Sequence, residues 1–179
     1  SPAACNWLVP LAGPGAHCLA CSLNQTIPDL SIRQNHELWR KVETAKRRLV
    51  AQLLDLGLPV MGKYADAERG LAFDFVGVDL EGRLPTTGHA DGLITLDVRE
   101  ADDAHREQVR LQMREPYRTL LGHFRHEIGH YYWDRLIAGG PWLDDFRRLF
   151  GDERDNYAQA MQRHYRQGAP LGWPERHRR

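Results

Sequence analysis

Apolar residues recur at spacings of three and four from Asn35 onward, and this periodicity predicts an amphipathic helix. Asn35 is the expected N-cap residue, because its side chain can accept a hydrogen bond from the first turn. Gly57, followed by Pro59, is expected to end the helix. The apolar face that would contact the core consists of Leu38, Val42, Ala45, Leu49, Leu53 and Leu56.

Two shorter segments have the alternation that is typical of strands. Leu71–Val78 alternates apolar with small or polar residues, and Gly92–Val98 follows the turn-rich segment Pro85–Asp91. Residues 1–30, in contrast, are rich in Pro, Gly and Cys and lack a long periodicity. We expect them to form a loop-rich appendage.

Helical periodicity returns in the second half of the chain. Pro116 is expected to open a long helix, because its missing N–H costs little in a first turn. The segment Gly139-Gly140-Pro141 should stop this helix, and a short helix should follow and break at Gly151. Asp152 is expected to cap a last helix, which ends at Gly168. The apolar positions are Tyr117, Leu120, Leu121, Phe124, Ile128, Tyr131, Leu136, Trp142, Phe146, Leu149, Phe150, Tyr157, Met161 and Tyr165.

The order of helix, strands and then helices predicts an α+β fold, in which helices pack on a small antiparallel sheet. At 179 residues the chain is long enough for one ordinary core with a small appendage. We therefore expect a cysteine-containing segment at 1–30 and a main domain at 31–179.

The charge balance and the lack of long apolar runs argue against a nucleic-acid or membrane partner. Lys+Arg and Asp+Glu number 24 each, so the protein has no net field that would attract a polyanion. A run of about 18 apolar residues, which a membrane-spanning helix needs, does not occur. No secretory signal is visible either, although residue 1 is Ser rather than Met. An odd number of cysteines fits a reducing compartment, and a cytoplasmic location is expected.

The sequence His126-Glu-Ile-Gly-His130 matches the HExxH pattern and lies in the longest predicted helix of the second half. Residues four apart share a helix face, so both imidazoles can bind one metal ion. Zinc prefers such ligands, keeps a position open for water in catalytic sites and lowers the pKa of that water toward ~7. Glu127 can then take a proton from the water as general base. A surface histidine pair beside a solvated Glu127 is the alternative.

A catalytic zinc site needs a third protein ligand. A metzincin would have Gly and His where Trp133 and Leu136 stand, so that class is excluded. His123, one turn before His126, is expected to have a supporting or structural role. A gluzincin would use a carboxylate from a later helix, although helix capping explains acidic residues there equally well. Three such residues follow at a suitable distance: Asp152, Glu153 and Asp155.

Substrate-binding features are less specific. The strand Gly92–Val98 is a candidate exposed edge that would bind a substrate backbone by strand addition, and an ordinary core strand is the alternative. Four side chains could donate a hydrogen bond to a developing oxyanion, although aromatic residues at helical spacing more often pack in a core. These four are Tyr131, Tyr132, His164 and Tyr165.

The cysteines form a separate candidate metal site. Cys18-x-x-Cys21 has the spacing of one zinc-ribbon knuckle, and Cys5 can supply a third thiolate. His17 is the nearby candidate for a fourth ligand, with an awkward geometry next to Cys18. Three free thiols in a reducing compartment are the alternative.

Several runs of sequence extend the motif: Cys5–Pro10, Gly88–Leu96, Glu115–Arg135, Phe150–Glu153 and His164-Tyr165. Together they resemble a family of bacterial zinc-binding metallopeptidases with an N-terminal zinc ribbon, over nearly the whole chain. The resemblance implies a gluzincin-like metallopeptidase domain in which His126 and His130 bind zinc and Glu127 is the catalytic base. It also implies that Cys5, Cys18 and Cys21 belong to a ribbon remnant. Family members extend further at both ends, so we expect a truncated chain whose third ligand, a glutamate in a later helix, lies in the missing segment.

Two hypotheses of different classes follow. The leading one is a cytoplasmic zinc-dependent peptidase or amidase, in which water activated by Glu127 attacks a carbonyl of a peptide or protein substrate. The alternative is a non-catalytic zinc-binding or interaction protein, in which the cysteine segment docks a partner and the HExxH helix is vestigial.

Overall fold

The structure is a computed structural model that describes residues 3–9, 17–77, 87–113, 115, 117–168 and 172. The chain divides into two compact units, Ser1–Arg135 and Leu136–Arg179. The boundary expected between residues 30 and 31 stays a prediction. Among the described residues, no helix combines the length and the apolar character needed to cross a membrane.

The first unit contains four helices and four strands among its described residues, and its last helix ends at the unit boundary. Their order is α1 (Leu19–Ser22), β1 (Asn24–Thr26), α2 (Arg33–Asp55), β2 (Ala72–Val76), β3 (Gly88–Ala90), β4 (Leu93–Asp97), a 3₁₀ turn (Val98–Ala101), α3 (Asp103–Gln112) and α4 (Leu120–Leu136). Strands β2 and β4 confirm the two strands predicted from alternation. Strands β1 and β3 and helix α3 were not predicted.

Four strands of the described residues form one mixed sheet in the order β1-β2-β4-β3. Strand β1 pairs with β2, and β2 with β4, in parallel, whereas β3 pairs with β4 antiparallel. The α+β class is confirmed, but the expectation of an antiparallel sheet is wrong. The reason lies in the connection between β1 and β2, because a crossover through a long helix returns the chain in the same direction.

Helix α2 carries the predicted apolar face, but its ends differ from the prediction. It begins at Arg33, and the Asn35 side chain donates to the Asp29 carbonyl oxygen at 2.8 Å instead of capping the helix. Five of the six predicted positions are buried, whereas Leu56 is exposed because it follows the last helical residue. Gly57 has a positive φ of 69°, as expected of a residue that ends a helix.

A tight hairpin joins β3 to β4 inside the segment that the sequence predicted to be turns. Asp91 and Gly92 form its two-residue loop, with φ values of 48° and 81°, and Ala90 pairs with Leu93. Positive φ at both loop residues is typical of a type I′ turn. A Cβ at Gly92 would lie 2.2 Å from the Gly70 carbonyl oxygen, so this position requires glycine for close approach as well as for conformation.

Helix α4 packs on the sheet through aromatic side chains. The ring of Phe124 meets those of Phe73 and Phe75 edge-on, at centroid distances of 5.7 and 6.1 Å. Further along the helix, the Tyr131 hydroxyl donates to the Arg69 carbonyl oxygen at 2.9 Å, and the Tyr132 hydroxyl to the Pro59 carbonyl oxygen at 2.8 Å. These contacts fix the helix that carries the motif.

The start of α4 and the segment of chain that precedes it differ from the prediction. The helix begins at Leu120, and Tyr117 is exposed. Pro116, the expected first residue, lies outside the described residues. Asp97 caps the preceding 3₁₀ turn by accepting from the Arg99 N–H, and Asp102 caps α3 by accepting from the His105 N–H.

The second unit contains α5 (Leu143–Phe150) and α6 (Tyr157–Gln167). Helix α5 confirms the short helix that breaks at Gly151, where φ is 94°. The prediction that Asp152 caps the last helix is wrong. That helix begins five residues later, and Asn156 accepts from the Gln159 N–H.

Candidate metal centres

The HExxH motif lies on α4 with its two histidines one turn apart, as the spacing predicts. The Nε2 atoms of His126 and His130 are 3.2 Å apart, and both residues are exposed. Two nitrogen ligands of a tetrahedral zinc ion lie about 3.3 Å apart, given Zn–N bonds of about 2.05 Å. The two imidazoles therefore fit a single zinc ion.

Glu127 is 7% exposed and points away from solvent, unlike the histidines on either side of it. Its Oε1 lies 3.3 Å from Nε2 of His123, one turn earlier on α4. Nδ1 of His123 lies 3.8 Å from Oε2 of Glu100, which is too far for a hydrogen bond. The His123 ring thus stands between two carboxylates.

Glu100 is held in place by an arginine. Arg118 donates from Nη2 to Oε1 of Glu100 at 2.7 Å and from Nε to Oε2 at 3.2 Å, a two-point contact of the kind that fixes a carboxylate. Burial alone would raise the pKa of Glu100, but the His123 and Arg118 side chains lower that pKa to about 2. Glu100 is therefore a carboxylate at any physiological pH.

A histidine of the sheet, on strand β3, also faces α4. His89 on β3 accepts a hydrogen bond at Nε2 from the Gly92 N–H at 3.1 Å, and its Nδ1 lies 3.9 Å from Oδ2 of Asp134. Its side chain is 7% exposed, and burial lowers the pKa of His89. The sequence analysis did not assign a role to His89, although the residue lies in the run Gly88–Leu96 that carried the resemblance.

The three cysteines come together near the N-terminus. Sγ of Cys5 and Sγ of Cys18 are 3.5 Å apart, and all three sulfur atoms lie within 4.8 Å of one another. Thiolates on one tetrahedral zinc lie about 3.8 Å apart, given Zn–S bonds of about 2.3 Å. Burial, together with the neighbouring thiols, raises the pKa of Cys21 to about 12, and a bound cation would oppose that rise because it favours the thiolate. The cluster fits zinc, and the exposed His17 is not part of it.

Residues 35–178 match a protein family described as "putative zinc-binding metallo-peptidase", and residues 1–32 match a zinc-ribbon domain. The chain belongs to this metallopeptidase family. Zinc is accordingly the metal that we assign to the protein, in agreement with the chemistry of both ligand sets.

The chain has relatives in bacteria, each of which is called an uncharacterized protein. Relatives from Mycobacterium bovis and from two strains of Mycobacterium tuberculosis are each 50% identical to it over 174 residues. The matched region is 97% of this chain and 50% of each relative, so the chain spans about half their length. No solved structure matches the chain significantly.

A third ligand for the motif histidines stays a prediction. Among the described residues of the first unit, no further His, Cys, Asp or Glu side chain is close enough to His126 and His130 to share an ion. The three acidic candidates belong to the second unit, where each is paired with an arginine. These pairs are Asp152 with Arg154 at 2.7 Å, Glu153 with Arg147 at 2.9 Å and Asp155 with Arg163 at 3.0 Å.

For two candidate substrate-binding features the structure favours the alternative given in the sequence analysis. The segment Gly92–Val98 is not an edge, because β4 lies between β2 and β3 and pairs with both. Within the described part of the chain, strand β3 forms that edge of the sheet instead. The hydroxyls of Tyr131 and Tyr132 donate to backbone carbonyl oxygens, so these side chains pack and anchor α4. The side chains of His164 and Tyr165 lie outside the described residues.

Proposed function

We propose that the chain is a zinc-dependent hydrolase that cleaves peptide or amide bonds. The observation that carries this proposal is the 3.2 Å distance between the Nε2 atoms of His126 and His130, with a buried carboxylate, Glu127, between them in sequence. Membership of the zinc-binding metallopeptidase family supports the same reaction class.

Three residues of α4 would have two different roles in this reaction, metal binding and proton transfer. His126 and His130 hold the metal through Nε2, and neither nitrogen is used by another described side chain at hydrogen-bond distance. Zinc at this position supplies a Lewis acid that polarises the substrate carbonyl and makes water a better nucleophile. Glu127 accepts a proton from the attacking water and returns it to the leaving nitrogen, so the carboxylate ends the cycle as it began.

A peptide or protein substrate would bind along the edge strand β3. This strand pairs with β4 on one side only among the described residues, so the backbone groups on its other side are available for strand addition. His89 of β3 lies 3.9 Å from Asp134 of α4, and Asp134 is one turn beyond His130. A strand added to β3 would therefore run close to the motif.

Glu127→Gln tests the assignment of the general base. The variant should lose about 10²- to 10⁴-fold in the rate of cleavage of an unstructured peptide library, because the amide cannot accept the proton. Its zinc content should stay at the wild-type value, since Glu127 is not a ligand. Glu68→Gln, at an exposed position, is the matched control. Wild-type cleavage rates in Glu127→Gln would contradict the assignment.

A non-catalytic zinc-binding or interaction protein is the second candidate. The observation that favours it is the ion pairing of Asp152, Glu153 and Asp155, because an arginine-bound carboxylate must be released before it can bind zinc. Zinc-dependent cleavage by this chain, abolished by a chelator and restored by zinc, would rule this candidate out.

A further inference from the structure

The imidazole of His123 is positioned between a carboxylate of its own helix and a carboxylate from another element. Nε2 faces Oε1 of Glu127 at 3.3 Å, and Nδ1 faces Oε2 of Glu100 at 3.8 Å. The side chain is only 12% exposed. A charged array of this kind, removed from solvent, is costly unless each member is held by a partner.

Each member of the array is held by the fold. His123 and Glu127 are four residues apart on α4, so their side chains stack on one face. Glu100 lies in the 3₁₀ turn that follows β4, and its carbonyl oxygen accepts from Nη1 of Arg106 at 2.9 Å. Arg118 donates a hydrogen bond to each oxygen of the Glu100 carboxylate. The array therefore connects Glu127 to the end of the central strand β4 as well as to its own helix.

An imidazole is suited to this position, because it offers a ring nitrogen to each of two opposite neighbours. The N–H at Nε2 can bind one oxygen of Glu127, and the other ring nitrogen stays beside Glu100. Of the two oxygens of the Glu127 carboxylate, Oε1 then has a partner, and Oε2 has no hydrogen bond to any other described residue.

We propose that His123 is a positioning residue for the general base, whose Nε2–H holds Oε1 of Glu127 and leaves Oε2 as the oxygen that accepts the proton. This inference rests on the proposed function. The proton on Nε2 of His123 stays there, while Oε2 of Glu127 receives one proton from water and passes it to the leaving nitrogen. Nδ1 of His123 faces the Arg118-bound carboxylate of Glu100 at 3.8 Å without a hydrogen bond, so Nε2 is the ring nitrogen that faces Glu127.

Ring-nitrogen NMR on the zinc-free protein tests the contact independently of any hydrolysis. In the wild-type protein the Nε2–H signal of His123 should lie downfield, as expected for a proton bound to a carboxylate. Glu127→Ala should move that signal upfield and leave the ring signals of the exposed His36 unchanged. A His123 signal that does not respond to Glu127→Ala overturns the inference, whatever the activity of the protein.

Kinetics on the zinc-loaded protein test the consequence. His123→Leu should lower kcat about 10- to 100-fold, because a misplaced base loses its alignment, with KM and zinc content unchanged. His123→Gln, whose amide can still donate to Glu127, should restore part of kcat, and His36→Leu should have no effect. A stability loss in His123→Leu with unchanged kcat per folded molecule overturns the positioning role.

The two proposals fail in different ways. Wild-type protein that binds zinc at the motif but hydrolyses nothing overturns the proposed function and, with it, the positioning role, even when the NMR contact is present. Hydrolysis that depends on Glu127 but not on His123 overturns the positioning role alone.

Discussion

Nζ of Lys46 lies 2.7 Å from Oε1 of Glu43, and both side chains are completely buried. Asn24 of β1 completes the arrangement by donating to the same Glu43 oxygen at 2.9 Å and by accepting from Lys46. The Lys46 ammonium also lies 5.4 Å from the centroid of the Phe75 ring. Burial lowers the pKa of Lys46, and the Glu43 carboxylate opposes that effect. The pair joins α2 to the sheet inside the core.

Lys46→Met should destabilise the protein by about 3–5 kcal/mol, because it leaves the Glu43 carboxylate buried without its nearest counter-charge. Nη1 of Arg47, 3.9 Å from Oε2 of Glu43, is too far away to replace the Lys46 hydrogen bond. The double variant Glu43→Leu/Lys46→Met should recover most of this free energy of unfolding, since neither charge then remains. Urea denaturation of the two variants and the wild type measures the difference. Equal losses in the single and double variants would contradict the idea that the unpaired charge is the cause.

Each of the two candidate centres should bind its own zinc ion, independently of the other. The wild-type protein should bind two zinc ions per chain, and His126→Ala and Cys18→Ala should each remove one, because their ligand sets share no residue. Elemental analysis after dialysis against a weak chelator gives the stoichiometry. His36→Ala is the control for histidine loss. Zinc that is lost only with Cys18→Ala would contradict tight binding by the motif histidines in this chain.

Glu100 should contribute to stability in a limited pH range. Its pKa is lowered from the ordinary value of 4.5 to about 2 in the folded protein, so the folded state favours the ionised form. The contribution, up to about 3 kcal/mol, is present above pH 4.5 and is lost as pH falls toward 2. The difference in free energy of unfolding between the wild type and Glu100→Gln should narrow over that interval. A difference that is constant from pH 5 to pH 2.5 would show that ionisation of Glu100 does not stabilise the fold.

Two glycines with similar φ provide a matched pair for testing close approach. Gly57→Ala should cost about 1–2 kcal/mol, the conformational cost of a positive φ, because nothing lies within 4 Å of the added Cβ. Gly92→Ala should cost clearly more, since its Cβ also meets a backbone oxygen that cannot move aside without disturbing the hairpin. Thermal unfolding of both variants compares them. Similar losses at the two positions would indicate that the loop relaxes.

The parts of the fold that were predictable are those with a strong local pattern. The apolar spacing from Leu38 to Leu53 is enough to place α2, and the alternation around Phe73 and Leu96 places β2 and β4. Strand β1 was missed because three residues with no apolar alternation carry little signal, and pairing with β2 is a tertiary effect. Strand β3 could have been found, since Asp91-Gly92 before Leu93 is a hairpin signal.

The candidate site, like the fold, was predictable only where the pattern is local. Spacing alone predicts that His126 and His130 face one ion, because the helix fixes their separation. A supporting or structural role for His123 was expected, but its neighbour Glu100 was beyond sequence reasoning, because 23 positions of chain separate the two residues and tertiary packing brings them together. The central position of β4 in the sheet was likewise not predictable, because it depends on pairing with β3, a strand that the sequence analysis missed.

The pairing of β1 with β2 limits which segments of this protein can be exchanged for those of a relative. Strand β1 falls within the residues that match a zinc-ribbon domain, and β2 within those that match the metallopeptidase. Cys18, Ala20 and Leu23 also lie in the same hydrophobic core as Phe73. The boundary between the two sequence families therefore lies inside one compact unit. A ribbon exchanged between relatives would bring a sheet strand with it, and the recipient would need a β2 edge and a buried Glu43–Lys46 pair that match the incoming strand.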